Sequence, residues 1–386
     1  MSTVIRWCVC AGAVASAVVS LAAEPITVGA IFAVTGPAAN LGLPEKRSAE
    51  LQVERVNAAG GVLGRPVRLI VKDSGSSPEK AVSFCKQLIE EDGVLAIIGP
   101  STSGETMLIK PVCEQEGVPL ISCAAAEVIV NPLARHVFKT PQKDSQAATL
   151  ILRTLKKRGL TRIGVASDNT GFGQAGKKQL ADLAAAEGIA IAASETYDQA
   201  ATDLSDILAK LRAQNIQAVV NWSVVPAQSI LPRNMRMLGM KEPLFQSHGF
   251  GSLRYVEQAG EAAEEIVFPC GHLLVAAELP ADHPQKAILM AYKTAYEERF
   301  KEEANSFGGY AWDALAIVLE GVRKSGGSDR AKVRDAIEGL QGFAGVTGVF
   351  NYSPADHGGL SLEAFEMLTV KNGAFTVYRP PAAATP

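Results

Sequence analysis

The stretch Ile97–Ala126, IIGPSTSGETMLIKPVCEQEGVPLISCAAA, places two strand-end turns in succession. An apolar run from Val94 to Ile98 stops at Gly99-Pro100, and Ser101, Thr102 and Ser103 follow where a helix would begin. Hydroxyls and free backbone N–H groups at a helix start converge on one point and favour an anion there. One helix and one strand (Val118 to Ser122) later, Cys123-Ala124-Ala125-Ala126 makes a second turn without bulky side chains at the same carboxyl edge. In open α/β sheets that edge is where ligands bind. Neither turn offers a catalytic group, so the pattern suits holding a small acid.

Working outward, strands alternate with amphipathic helices. Ile26 to Phe32, Val67 to Lys72, Val94 to Ile98 and Pro119 to Ile121 read as strands, with helices at Glu45 to Ala58, Pro78 to Glu91 and Gly104 to Glu116. This rhythm predicts parallel βαβ units in a doubly wound sheet. It pauses at Val137 to Pro141 (VFKTP) and restarts with strands at Arg162 to Ala166, Ala190 to Thr196, Ala218 to Asn221 and Leu244 to Ser247. The chain from Pro269 to Pro284 reads as extended, followed by three helices and two late strands, Phe365 to Val370 and Phe375 to Tyr378. Two strands are too few for a third sheet, so they must complete an earlier one.

At 386 residues the chain is long for one core, and two domains are the expectation. With 47% hydrophobic and 20% charged residues it has material for packed interiors. A net charge of -3 without a basic cluster argues against nucleic acid as a partner. The start of the chain has Arg6, then an apolar or small stretch from Trp7 to Leu21, then Ala22-Ala23 before Glu24-Pro25. This reads as a secretory signal peptide over residues 1–23, because 15 apolar residues fall short of the about 20 needed to span a membrane. Export to the periplasm follows. Four cysteines then remain, Cys85, Cys113, Cys123 and Cys270, without a CxxC pair, which disfavours zinc and thioredoxin-type chemistry. Cys85 and Cys113 lie on consecutive helices and either pair or stay as buried thiols.

The opening ITVGAIFAVTGPAANLG, the segment NAAGGVLGRPVRLIVKDSGSSP, the turn IIGPSTSG, GVPLIS, and AWDA at Ala311 to Ala314 together resemble the type I periplasmic solute-binding proteins of the leucine/isoleucine/valine-binding class. The resemblance spans nearly all of the chain after residue 23. It implies two Rossmann-like lobes with parallel sheets, joined by a three-strand hinge, that close on ligand. The lobes would divide as 24–140 with 273–345, and 141–272 with 346–386. The implied partners are a small carboxylate ligand and the permease and ATPase of an ABC importer, with the binding protein a monomer. No cofactor, metal or catalytic residue is implied.

Site residues follow from the same resemblance. Ser103, beside Thr102, takes the position of the hydroxyl that holds the ligand carboxylate, and Ala124 that of a backbone carbonyl that accepts the ligand ammonium. Ala126 stands where a Ser or Thr hydroxyl is usual, and His248 where an acidic residue pairs with the ammonium. An ammonium stranded in a closed cleft costs several kcal/mol. His248 therefore favours a carboxylate without an amine, since imidazole can serve a hydroxyl, a carbonyl or a second carboxylate. Phe172 matches an aromatic that closes over ligand, and Trp222, Phe250 and Phe307 are expected near it, forming a slot for an aromatic acid. Glu127 is an alternative ammonium partner.

Two rival readings compete with this one. Gly171-Phe172-Gly173-Gln174-Ala175-Gly176 is a GxGxxG that follows a strand and opens a helix, the context of a dinucleotide fingerprint. Its position after a late strand, its expected longer loop and an exported setting argue against that use. A ligand-sensing domain of a receptor shares the fold and is the other alternative. Without GxSxG, HExxH or a clustered set among the five histidines, the sequence gives no enzyme signature.

Overall fold

The structure is a computed structural model that describes residues 24–380; the signal peptide read at 1–23 lies outside the described residues. In the first half, β1 (Ile26–Phe32), α1 (Ala39–Ala58), β2 (Val67–Asp73), α2 (Pro78–Glu90), β3 (Ile97–Ile98), α3 (Ser103–Glu116), β4 (Leu120–Ser122) and β5 (Val137–Lys139) alternate. Their strands form one parallel sheet in the order β2-β1-β3-β4-β5. The apolar run of β1 is buried apart from a partly exposed Thr27, as expected for a strand covered on both faces. Local signals set the helix ends. Ser77 caps α2 with Pro78 in its first turn, Thr102 caps α3, and Gly117 stops α3 in the left-handed conformation at φ 63°.

The pattern repeats with α4 (Asp144–Lys157), β6 (Arg162–Asp168), α5 (Gly171–Ala184), β7 (Ala190–Tyr197), α6 (Ser205–Arg212), β8 (Ala218–Trp222), α7 (Ala227–Met237), β9 (Leu244–Gln246), α8 (Leu253–Ala259) and β10 (Val267–Cys270). These strands pair in the order β7-β6-β8-β9-β10, the same permutation as in the first sheet. The chain then returns to the first lobe through α9 (Lys286–Phe300), α10 (Ser306–Ser325) and α11 (Arg330–Glu338), with α10 packed along α1. After a short hairpin of β11 (Phe343–Ala344) and β12 (Val349–Phe350), β13 (Glu366–Lys371) and β14 (Ala374–Val377) extend the second sheet beside β10 in antiparallel fashion. The fold is thus two Rossmann-like α/β lobes joined by three crossings of the chain, after β5, after β10 and from β11 to β13.

The crossings are tied to one another. Gln142 in the first donates to the carbonyls of Thr347 (3.2 Å) and Ala364 (3.0 Å), both in the third. Gln285, after the second, donates to Gly345 O at 2.8 Å. Asp313, the acid of the AWDA segment, accepts from the consecutive amides of Val346 (2.8 Å) and Thr347 (2.6 Å). A Cβ on Gly345 would come within 2.7 Å of the Asp313 carboxylate, so only glycine lets the strand approach.

Several sequence readings need correction. α1 begins at Ala39, ahead of the proline-delimited start expected at Glu45, and carries Pro44 inside it; Gly42 packs directly on Ala33, which a side chain would forbid. The run after Pro269 is not extended: Val267–Cys270 is strand β10, and His272–Glu278 is a 3-10 turn. β6 continues to Asp168, so only Asn169 and Thr170 separate it from α5, and the longer loop expected before the GxGxxG is absent. The glycines of that motif serve packing. A Cβ on Gly173 would lie 2.2 Å from Asp168 O, and one on Gly176 2.0 Å from the Trp222 indole.

Because Trp222 is fully buried and cannot swing aside, Gly176→Ala is expected to cost about 1–3 kcal/mol through overpacking. A lowered thermal midpoint of the purified variant checks this; an unchanged midpoint would show that α5 has room to move.

Candidate functional site

Each sheet reverses its winding once, between β1 and β3 in the first lobe and between β6 and β8 in the second. Loops at the carboxyl ends of strands around such a switch point leave a crevice. The two crevices face each other across a cavity of about 240 Å³. Its first-lobe wall includes Leu41, Ser101 to Glu105, Cys123 to Ala125, Phe307 and Tyr310, and its second-lobe wall includes Thr170 to Phe172, Gln199, Val224, His248 and Gly249.

The N-termini of α3 and α5 meet at this cavity: a Cβ on Gly171 would be 3.3 Å from the Gly104 amide nitrogen. Each end brings partial positive charge and unpaired first-turn N–H groups, which favours an anion between them. Within the cradle the three hydroxyl residues have separate tasks. Ser101 turns inward, accepting from Ala33 N at 3.0 Å and donating to the buried Glu45 carboxyl. Thr102 caps α3, accepting from Glu105 N at 3.3 Å and donating to Glu105 Oε2 at 2.6 Å. Ser103 Oγ accepts from Ala126 N at 3.3 Å, which leaves its proton to donate.

Of the residues singled out in the sequence, Thr102, Ser103, Ala124, Phe172 and His248 stand together on the wall. Ala126 and Trp222 do not; both are fully buried behind it. Ala126 contributes its amide to Ser103, and Trp222 backs Phe172 and His248, with ring centroids at 5.9 and 5.6 Å. Phe250, expected near the cleft, packs in the second lobe's interior against Tyr255 and Phe268, whereas Phe307 is on the wall. Glu127 lies off the wall, its carboxylate accepting from Ser145 N at the start of α4.

Sequence reading passed over Glu105, Tyr310, Lys139 and Asp144. Glu105 was recognisable as the last residue of a T-x-x-E capping box; it is the one carboxyl on the wall, and burial raises its pKa while Thr102 and Ser74 oppose the rise. No lysine or arginine lines the cavity. Beneath Ala125, however, Lys139 is fully buried and donates to the carbonyls of Ala125 and Gln142, the latter at 3.2 Å. Burial pushes this ammonium down to about 8, against the pull of Asp144 and Glu127. Burial likewise lifts the Asp144 carboxyl to about 7, with Lys139 opposing. No sequence pattern marks these two, because VFKTP reads only as a pause between lobes. Among the described residues no group of three or more His, Cys, Asp or Glu side chains is placed to hold a metal ion.

Paired lobes with facing switch points and an anion-favouring crevice define a two-lobed solute-binding protein. Residues 25–373 match the periplasmic binding protein family, and the chain belongs to it, as a type I member of the leucine/isoleucine/valine-binding class. A leucine-, isoleucine-, valine-, threonine- and alanine-binding protein of Pseudomonas aeruginosa is 25% identical over 361 residues, 93% of this chain and 91% of the relative. A branched-chain amino acid transporter substrate binding protein of Streptococcus pneumoniae, solved with isoleucine, is 26% identical with a TM-score of 0.80, covering 92% of this chain and 100% of that one. An ABC transporter solute binding protein of Rhodopseudomonas palustris, solved with 3,4-dihydroxy benzoic acid, shares the fold at 18% identity and a TM-score of 0.78, over 91% and 95% of the two chains. Proteins of this class serve transport as the ligand-binding components of ABC transporters, and family members are periplasmic. No helix among the described residues is long and apolar enough to cross a membrane.

His248 makes a pH prediction. Burial, with Lys139 nearby, lowers its pKa to about 3 from an ordinary value of 6.5, so the folded state keeps the ring neutral. That preference contributes stability fully above pH 6.5 and loses it as pH falls toward 3, with a slope of up to about 1.4 kcal/mol per pH unit. Thermal or denaturant melts from pH 7 to 4 are expected to show a shallower acid loss in His248→Gln than in the wild type; equal acid limbs would refute the assignment.

Proposed function

We propose that this protein is the exported solute-binding component of an ABC importer, acting as a monomer, and that it captures a small carboxylate lacking an α-amine, an aromatic acid in particular. The observation that carries the reading is His248, neutral and buried on the cleft wall, at the position to which the family resemblance assigns an acidic partner for an ammonium. The buried Lys139 beneath Ala125 adds a field that opposes a second cation. In this reading the acid's carboxylate sits at Ser103 and the α3 N-terminus, with Thr102 shaping the turn and Ala124 contributing backbone. Phe172, Phe307 and Tyr310 supply faces for a ring. The fold itself is compatible with such a ligand, as the dihydroxybenzoic acid complex of Rhodopseudomonas palustris illustrates. The lobes divide at 24–140 with 273–345 and 141–272 with 346–386, hinged on the three crossings.

A branched-chain amino acid is the second reading, favoured by Glu105, whose Oε1 is buried on the wall without a hydrogen-bond partner and could receive an ammonium. The two separate in a thermal-shift screen of the purified protein against amino acids, aromatic acids and aliphatic carboxylates, because a ligand that binds only the folded state raises the midpoint. Aromatic acids are expected to give the largest shifts; tight binding of leucine or valine without any response to benzoate-type acids would overturn the first reading. Ser103→Ala should weaken whichever acid binds by about 1.5–3 kcal/mol, the contribution of a hydrogen bond to a charged group, as read by isothermal titration.

A further inference from the structure

Two cysteines bracket the segment that carries the first turn of the cleft. Cys85 lies midway along α2 and Cys113 near the end of α3. Between them the chain passes through β3 and then Ser101 to Glu105, all five of which line the cavity. α2 and α3 cover the same face of the first sheet, because their crossovers run in one direction, from β2 to β3 and from β3 to β4, whereas α1 runs back from β1 to β2. The strand that joins the two helices is short. β3 consists of Ile97 and Ile98 alone, so little of the sheet itself holds this segment in place.

Across the helix pair, the Sγ atoms of Cys85 and Cys113 lie 3.7 Å apart, in contact. Both side chains are fully buried, in the apolar cluster that also holds Leu88, Ile109 and Val118. A disulfide bond is about 2 Å long, so bonding asks the two sulfurs to approach by about 1.7 Å. The other two cysteines of the described chain are placed differently: Cys270 Sγ meets Ser306 Oγ at 3.2 Å, and Cys123 follows β4 on the cavity wall. No third metal ligand joins the pair, since among the described residues no group of three or more His, Cys, Asp or Glu is placed to hold a metal ion. What remains is two packed thiols or one covalent bond.

We propose that Cys85 and Cys113 form a disulfide in the exported protein, closing residues 85–113 into a covalent loop that contains the cradle from Ser101 to Glu105. This rests on the export reading above, because such bonds form and persist in oxidising compartments. The oxidant is a protein disulfide of a thiol oxidase. One cysteine thiolate attacks a sulfur of that disulfide, breaking it and forming a mixed disulfide. The second cysteine thiolate then attacks the sulfur of its partner cysteine and expels the oxidase, which leaves as a dithiol with the two electrons, while the two thiol protons pass to it or to solvent. The bond is set as the lobe folds. In the closed core the Cys85 sulfur and burial hold the Cys113 thiol well above its ordinary pKa, so little thiolate is available there. Once formed, it braces α2 against α3, and through them Pro78 and Ser103 at the two helix starts that face the cavity.

The full chain, expressed with residues 1–23 in a bacterium with an oxidising periplasm, recovered from that compartment, denatured in alkylating reagent without reductant and digested, tests the bond. Mass spectrometry is expected to find Cys85 linked to Cys113, with Cys123 and Cys270 alkylated. Alkylation of both Cys85 and Cys113, or a link from either to Cys123 or Cys270, overturns the proposal. A chain that stays in the cytosol with residues 1–23 attached overturns the export reading instead; the same chain, unfolded and then refolded in a mixture of oxidised and reduced glutathione, decides the pairing by the same digest. Protein reduced in denaturant and refolded with reductant is expected to melt about 5–10 °C below the oxidised form, as a bond across 28 positions predicts. Equal midpoints overturn the bracing role.

Discussion

The Asp313 carboxylate, accepting from the amides of Val346 and Thr347, is the constraint on which the two-lobed arrangement depends. It fixes the third crossing to α10, and through Gln142 the first crossing is fixed to the third. Burial pushes the Asp313 pKa up to about 6, yet Thr347 and Val346 hold it back by hydrogen bonding to the charged form. A buried carboxylate is tolerated because the amides it satisfies would otherwise be orphaned where the strand passes between lobes. Gly345 and the short hairpin β11–β12 follow from the same requirement, since the strand must come within contact of that carboxylate.

With the crossings fixed, the two sheets present equivalent edges to each other, and the chemistry of the cleft follows from what those edges lack. No lysine or arginine reaches the wall, so the anion proposed above has helix ends, the Ser103 hydroxyl and backbone to meet it. A buried cation, Lys139, is one layer down, at the junction of β5 and the first crossing. This arrangement separates charge from contact. The wall offers shape and hydrogen bonds, while the buried ammonium lies behind it among the carboxyls of Asp144 and Glu127.

Most of the fold was legible because buried parallel strands leave apolar runs and their helices leave caps. The alternation of strands and helices, the two lobes and the return of the last two strands to an earlier sheet could all be read from residue pattern. The misreadings share a cause: Pro44 and Pro269 look like breaks, and each is accommodated by tertiary packing that a local pattern does not carry. Of the site, the first-lobe turns were legible since they lie in one contiguous stretch. Phe250 and Trp222 were placed on the wall because an aromatic at a strand end gives no hint of which way it turns, and here both turn inward. Lys139 and Asp144 were illegible for a different reason: their significance depends on a residue more than a hundred positions away, His248.

The meeting of Gly104 and Gly171 has a consequence for the protein without its solute. Two helix N-termini brought this close carry charge of the same sign, about half an elementary charge each, so in the absence of an anion they repel. Emptiness therefore biases the lobes apart, and the carboxylate proposed above reverses the bias by placing opposite charge between the two ends. In the importer role proposed above, a permease that samples the distance between lobes thus receives a two-valued signal, written by the solute's charge, with no need to inspect the solute itself.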